Sequence, residues 1–258
     1  MTGPAGVTAL VLAETVAGGL ALLFLTPLWG EVKRGFFTLT GSVLLVLAGA
    51  TWASAAAGLV EGSAAGTWSL RLAMALALAL LLDVILLFAR RAVAARVLGF
   101  VSAALAAALL VAMAGTAEGT ATVALLQLLA GAAFLGAVID GLLLGHWYLT
   151  DRGLTRGPID RTTNLLLAGV VLEAAALILG GFGPTEPSAE FNPLLTSAGL
   201  ASWIALGMVA TTALIAVMIR LTLRGTRSSA VQAATGFFYL AVITAMTAEF
   251  AAKVRFLP

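Results

Sequence analysis

The chain has 258 residues, of which 61% are hydrophobic and only 10% are charged. A soluble domain carries about 25% charged residues, so this composition excludes a soluble globular protein. The net charge of +2 comes from basic residues scattered over several short segments, which excludes nucleic acid as a partner because its phosphate backbone demands a continuous basic surface. With no cysteine and one histidine, His146, the chain alone can hold no thiolate metal site, iron–sulfur cluster or bis-histidine haem.

Eight segments are apolar over the length of about 20 residues that a membrane-spanning helix needs. In chain order, the predicted spans are 6–29, 36–60, 69–89, 93–116, 121–149, 162–182, 194–222 and 229–252. The sequence therefore predicts an all-α fold, with residues 1–258 forming a single integral membrane domain. A multi-pass protein of the bacterial cytoplasmic (inner) membrane is the expected localisation.

Lysine and arginine are concentrated at alternate gaps between these spans. The intervening gaps are mainly acidic and hold one basic residue, Arg71. Short loops rich in lysine and arginine stay on the cytoplasmic side, so both termini are expected outside, although Lys253 and Arg255 oppose this rule. We expect Lys253 at the edge of the membrane. The residues of the basic gaps are Lys33, Arg34, Arg90, Arg91, Arg96, Arg152, Arg156, Arg161, Arg220, Arg224 and Arg227.

A faint internal repeat relates the two halves of the chain. The segment AETVAGGLALLFL at 13–25 resembles LQLLAGAAFLGAV at 126–138, which places Glu14 opposite Gln127. An even number of spans separates the two segments, so both halves should have the same orientation in the membrane. We expect two four-helix bundles, formed by residues 1–119 and 120–258.

Four carboxylates fall within predicted spans, and a fifth lies near the outer end of the last span. A carboxylate at the centre of the membrane costs about 2.5–3.5 kcal/mol, so these side chains should face the interior of the bundle. Glu249 should pair with Lys253, four residues further along the helix. Glu14 and Glu173 are compatible with a proton path or polar pocket and equally with structural contacts between helices. The five residues are Glu14, Asp83, Asp140, Glu173 and Glu249.

The fifth predicted span ends in the most polar run of the chain, AVIDGLLLGHWYLTDRG. Asp140 and His146 are six residues apart, which is about 9 Å along a helix and a third of a turn around it, so they should not bond each other. We predict a polar path with His146 at its cytoplasmic mouth and Asp140 deeper, where a quinone head could exchange a proton. Trp147 and Tyr148 should lie at headgroup level. The alternative is an aromatic belt in which His146 caps the inner end of the helix.

The last span, QAATGFFYLAVITAMTAEFAAKVRFL at 232–257, resembles the terminal helix of NrfD-like membrane anchors from DMSO-reductase-type and polysulfide-reductase-type complexes. The layout of eight spans is similar too, whereas the GHWYL run is not assigned to these anchors. The matching positions are Thr235, Gly236, Phe237, Tyr239, Glu249, Arg255 and Phe256.

This resemblance implies a quinone-interacting anchor subunit of a respiratory oxidoreductase. The chain would be a subunit rather than an enzyme alone, and it would exchange electrons with partner iron–sulfur and catalytic subunits. Its cofactor would be menaquinone or ubiquinone, with membrane lipids around it and no metal of its own. Asp140 and His146 would then exchange protons and hydrogen-bond the quinone. The quinone-binding residues would be Glu14, Gln127, Trp147, Tyr148 and Glu173.

The sequence is also compatible with three other functions. A proton-coupled transporter of small solutes would use the same carboxylates. A structural or assembly subunit would have no site of its own, although the buried acids argue against it. A haem could also be held by His146 if a partner chain supplied the second ligand.

Overall fold

The computed structural model describes residues 2–60, 62–117, 119–151, 153–180, 200–225 and 229–254. Within these ranges the structure is helical and contains no strand, and eight helices are long and apolar enough to cross a membrane. The all-α fold with eight spans is therefore confirmed. The helices are α1 Gly3–Leu25, α2 Leu28–Glu31, α3 Arg34–Ala57, α4 Ala64–Phe88, α5 Ala92–Ala114, α6 Ala121–Thr150, α7 Gly157–Leu179, α8 Leu200–Leu223 and α9 Ser229–Lys253.

The first span ends earlier than the sequence predicted. Thr26 is extended, with ψ of 163°, because the ring of Pro27 disfavours the helical conformation of the residue before it. The chain then forms the short helix α2 instead of continuing to residue 29. The part of the seventh predicted span that precedes Leu200 lies outside the described residues.

Consecutive spans run antiparallel, so the bundle has two ends of different character. At the end where α1 begins, the amide of Thr2 donates to the carbonyl of Gly58, which follows α3 (2.9 Å); we call this the terminal end, because α9 also finishes on this side. At the opposite, basic end, three ion pairs among the described residues join different helices or loops. These are Lys33–Asp151 (3.0 Å), Arg161–Glu31 (2.9 Å) and Arg220–Asp160 (3.1 Å).

The spans pack as two rings of four that meet along α1 and α6. The helices α1, α3, α4 and α5 contact one another in a ring, and α6 to α9 form a second ring of the same kind. Between the rings, α1 and α6 run in the same direction and pack closely. A Cβ on Gly18 would lie 1.8 Å from the carbonyl oxygen of Ala132, and one on Gly136 would lie 2.3 Å from the carbonyl carbon of Gly18. Small residues of this kind are what allow membrane helices to approach backbone to backbone.

Candidate functional site

Three glutamates and one lysine meet inside the bundle, and we call them the acidic cluster. Glu14 comes from α1, Glu173 from α7, and Glu249 and Lys253 from α9. None of the four residues is more than 1% exposed. Four charged side chains are therefore collected in an interior that is otherwise largely apolar.

The lysine holds two of the three carboxyl groups directly. Its Nζ lies 2.8 Å from Oε1 of Glu14 and 3.0 Å from Oε2 of Glu249. Glu173 lies beside Glu249 and interacts with it. Apart from Glu14 Oε1, which contacts the ammonium group, three buried oxygens of the cluster find no hydrogen-bond partner among the described residues: Glu14 Oε2, Glu173 Oε2 and Glu249 Oε1.

A glycine of α6 provides the space for the cluster. A Cβ on Gly131 would lie 2.6 Å from Oε1 of Glu14 and 3.0 Å from Oε2 of Glu249. Cβ atoms do not approach oxygens as closely as the first distance, so a larger residue would displace the carboxylates. Gly131 is thus a residue of the site that the sequence did not single out, since glycine is common in all the helices of this chain.

Lys253 is 1% exposed, and its ammonium group lies inside the bundle, whereas the sequence predicts a position at the membrane edge. Its partner Glu14 is the midpoint of α1, about 16 Å from either end of that helix at 1.5 Å per residue. Lys253 itself lies one helical turn beyond Glu249 toward the terminal end, and its side chain reaches back to the level of Glu14. The prediction of a Glu249–Lys253 pair is confirmed, but Glu14 completes it from another helix.

Asp140 forms a separate buried position on α6. It is 1% exposed, and neither carboxyl oxygen has a hydrogen-bond partner in the described part of the chain. Its Oδ1 lies 3.6 Å from where a Cβ on Gly19 of α1 would be. Asp140 thus faces the α1 side of α6, the same interface at which Glu14 meets Gly131. Asp83 is also buried, but it lies on α4 close to Gly41 of α3.

His146 points in a different direction from Asp140. Its Nε2 is hydrogen-bonded to the hydroxyl of Tyr239 on α9 at 2.5 Å, and its Nδ1 lies 2.9 Å from the carbonyl of Leu142. Tyr239 is half exposed on the outside of the bundle. The structure therefore does not bring His146 and Asp140 together, in agreement with their spacing, and it pairs the histidine with a tyrosine that we did not include in the predicted site.

The remaining predicted site residues pack elsewhere. Trp147 lies against Phe36 of α3, with 6.3 Å between ring centroids, and Tyr148 donates to the carbonyl of Thr155 at 2.5 Å. The amide of Gln127 lies against Gly180, at the end of α7. Of the predicted residues, only Glu14 and Glu173 share one cluster.

In the described ranges, no group of three or more histidines and acidic residues is arranged to hold a metal ion. Arg255 and Phe256, two positions of the NrfD-like resemblance, lie outside the described residues. Comparison of the chain with protein-family models, with curated proteins and with solved structures finds no match.

Proposed function

We propose that this chain is a proton-exchanging membrane protein whose buried carboxyl groups take up and release protons within the bilayer. The observation that carries this proposal is the acidic cluster, with its three carboxyl groups around one ammonium group. The proposal belongs to the same chemistry as the proton path expected from the sequence. It assigns the centre of that path to Glu14, Glu173, Glu249 and Lys253.

The charges of the cluster do not balance unless protons are bound. With all four groups ionised, the cluster would carry a net charge of −2 in a site with at most 1% exposure. Uncompensated charges are very unfavourable in a medium of low dielectric constant. Two bound protons would make the cluster neutral, and they would also provide donors for the carboxyl oxygens that lack partners. The pair of neighbouring carboxyl groups, Glu173 and Glu249, is the natural place for an exchangeable proton.

Asp140 supplies a second acidic position on the way to the basic end. Asp140 is nine residues beyond Gly131 on α6, which is about 14 Å along the axis. Both positions face α1, one near Gly19 and one near Glu14. A proton entering from the basic end would meet Asp140 before it reaches the cluster, with water molecules carrying it over the distance between them.

Infrared difference spectroscopy of the reconstituted protein tests the protonated carboxyls. We expect a carboxylic-acid C=O band at neutral pH that shifts on transfer to deuterated water and that Glu173→Gln weakens. The matched control is Glu31→Gln, which removes a carboxylate of a partly exposed ion pair at the basic end. Absence of any protonated carboxyl band in the unmodified protein would refute the proposal.

Proton movement is tested in liposomes that contain a pH-sensitive dye and are energised by a potassium diffusion potential. We expect flux through the unmodified protein, strong loss in Glu173→Gln and Asp140→Asn, and retention in Glu31→Gln. Equal flux in all four proteins would show that the acidic cluster and Asp140 are not part of the proton path.

A second candidate is the quinone-interacting anchor of a respiratory oxidoreductase in the bacterial cytoplasmic membrane. The hydrogen-bonded pair His146–Tyr239 favours it, because this polar pair lies on a half-exposed surface of membrane helices. A quinone carbonyl could accept a hydrogen bond there. Menaquinone or ubiquinone would then be reduced or oxidised through partner iron–sulfur and catalytic subunits, with Asp140 as a proton reservoir.

Purification of the native complex in mild detergent distinguishes the two candidates. The anchor function requires redox subunits and quinone to co-purify in constant proportion. It also requires that Tyr239→Phe weakens labelling by a photoreactive quinone analogue, and that Asp140→Asn lowers quinol turnover while the complex stays assembled. A chain that purifies without quinone or redox partners would leave proton exchange as the function.

A further inference from the structure

An apolar groove runs along the outside of the bundle where α1, α5 and α6 meet. Its volume is about 460 Å³, and its walls are formed by alanine, glycine, leucine and phenylalanine side chains. From Phe100 to Leu110 the groove follows eleven residues of α5, a length of about 15 Å. This is about half of the 30 Å hydrocarbon core of a bilayer, so the groove matches the depth of a single leaflet.

The groove begins at the basic end of the molecule. Leu25, the last residue of α1, and Phe100, in the third turn of α5, form its wall there and are both exposed. Arg96 lies one helical turn before Phe100 on the same face of α5, since residues four apart are neighbours on a helix. A guanidinium group therefore stands at the mouth of the groove.

Aromatic rings hold this guanidinium in place. The Cζ of Arg96 is 6.0 Å from the ring centroids of both Trp29 and Phe100. Such contacts position a cation while leaving its N–H donors available. The aromatic group continues into the protein, where Phe24 contacts both rings and fills the space above Gly99.

The charge of Arg96 is not balanced within the described residues. Four other basic side chains of this end are engaged differently: Lys33, Arg161 and Arg220 pair with carboxylates, and Arg156 donates to the carbonyls of Leu223 and Gly225. Arg96 has no carboxylate partner in the part of the chain that the structure describes, and Arg91 is also exposed nearby. The mouth of the groove is therefore electropositive.

We propose that this groove is a binding site for one anionic phospholipid. One acyl chain lies between α1, α5 and α6, and the phosphate is bound by Arg96 at the basic end. A basic side chain at the membrane surface attracts anionic headgroups, and guanidinium pairs with phosphate through two parallel hydrogen bonds. The proposal is independent of proton exchange, because none of the acidic cluster lines the groove.

Native mass spectrometry of the delipidated full-length protein tests the site. The probes are phosphatidylglycerol and phosphatidylcholine with the same acyl chains. Both lipids carry a phosphate, but the choline cation of phosphatidylcholine cancels its charge and repels the guanidinium group. We therefore expect one phosphatidylglycerol to bind about tenfold more tightly than phosphatidylcholine, which corresponds to about 1.4 kcal/mol. Equal binding of the two lipids would overturn the proposal.

Two substitutions locate the lipid. Arg96→Gln should lower phosphatidylglycerol affinity about tenfold and phosphatidylcholine affinity less, so that the preference for the anionic lipid is largely lost. The control Arg224→Gln removes the same charge from another exposed position at the basic end and should have no effect. If both arginine substitutions weaken binding equally, the attraction is general and the proposed site is wrong.

The acyl chain is tested by filling the groove. Ala107 lines it on an exposed face of α5, whereas the neighbouring exposed Ala108 does not. Ala107→Leu should weaken tight lipid binding, and Ala108→Leu should not. Recovery of menaquinone or ubiquinone in place of phospholipid from the unmodified protein, with loss in Ala107→Leu, would overturn the lipid assignment and make the groove a quinone site.

Discussion

Lys253 contacts two carboxylates that have no other cation beside them in the described structure. Replacing it by methionine keeps most of its volume but leaves the ionised carboxylate of the acidic cluster without its counter-ion. Breaking a buried ion pair in this way costs about 3–5 kcal/mol. We expect Lys253→Met to lower the free energy of unfolding by this amount, measured by titration with a denaturing detergent.

A double substitution separates charge from packing. In Lys253→Met/Glu249→Gln, one of the two acidic partners of the lysine is gone as well, so part of the lost stability should return. The surface substitution Lys33→Met breaks an ion pair whose lysine is 76% exposed and should cost at most about 1 kcal/mol. If the double variant is as unstable as the sum of the two single ones, charge imbalance is not the cause.

Substitution of Gly131 gives a second prediction for a single residue. Gly131→Ala places a methyl group 2.6 Å from a Glu14 oxygen, so the cluster must shift. We expect a loss of about 1–3 kcal/mol, as for overpacked interiors. In the matched control Gly207→Ala, the new Cβ has no neighbour within 4 Å, and stability should be unchanged or slightly higher because alanine favours helix. Equal effects of the two substitutions would show that the contact with the cluster is unimportant.

The sequence predicted which acidic residues are buried, but it could not predict which of them lie together in the fold. The cost of a carboxylate in a membrane indicated that Glu14, Asp140 and Glu173 face inward, and all three are buried. The sequence alone does not give the order of helices in space, so it could not show that α1, α7 and α9 converge. The sequence also does not give the level at which α9 packs against α1, so it does not predict that Lys253 reaches Glu14.

Among the elements, α1 and α6 form the contact that joins the two rings. Gly18 lies against backbone atoms of Ala132 and Gly136, so any side chain at this position must push the helices apart. We expect Gly18→Ala to lower the unfolding temperature clearly and to broaden the size-exclusion peak. Gly49→Ala on α3, where a Cβ meets nothing within 4 Å, should leave both properties unchanged. A normal Gly18→Ala protein would contradict the close approach of the two helices.

Element boundaries were largely predictable because apolar length controls them. Most predicted span ends lie within about five residues of the observed helix ends, and the early end of α1, at Leu25 instead of residue 29, comes from Pro27. The pairing of α1 with α6 has no such local signal. Glycine and alanine occur on many faces of these helices, and their frequency does not tell which face meets which partner.

At the scale of the whole molecule, the distribution of lysine and arginine predicts how the protein is oriented in the membrane. This orientation can be tested directly. Because the chain has no cysteine, single cysteines can report it. Gly30→Cys lies at the basic end, with no atom within 4 Å of its Cβ position, and Thr120→Cys is exposed at the terminal end. In intact spheroplasts, an impermeant maleimide should label Thr120→Cys alone, and lysis should expose Gly30→Cys. Labelling of Gly30→Cys alone in intact spheroplasts would show that the protein has the opposite orientation in the membrane.

The acidic cluster also imposes an order on biosynthesis. Glu14 enters the membrane with the first described span, whereas Lys253 emerges at the end of the last one. A chain leaves the ribosome at about 5–20 residues per second. More than about ten seconds therefore pass between the synthesis of Glu14 and that of its counter-ion, Lys253. During that time it can be kept neutral by a proton or shielded by the insertion machinery. When the last helix inserts, Lys253 would replace the proton or the insertion machinery as the partner of Glu14. Chains that stop before Lys253 would keep an unpaired acid that membrane quality control can recognise.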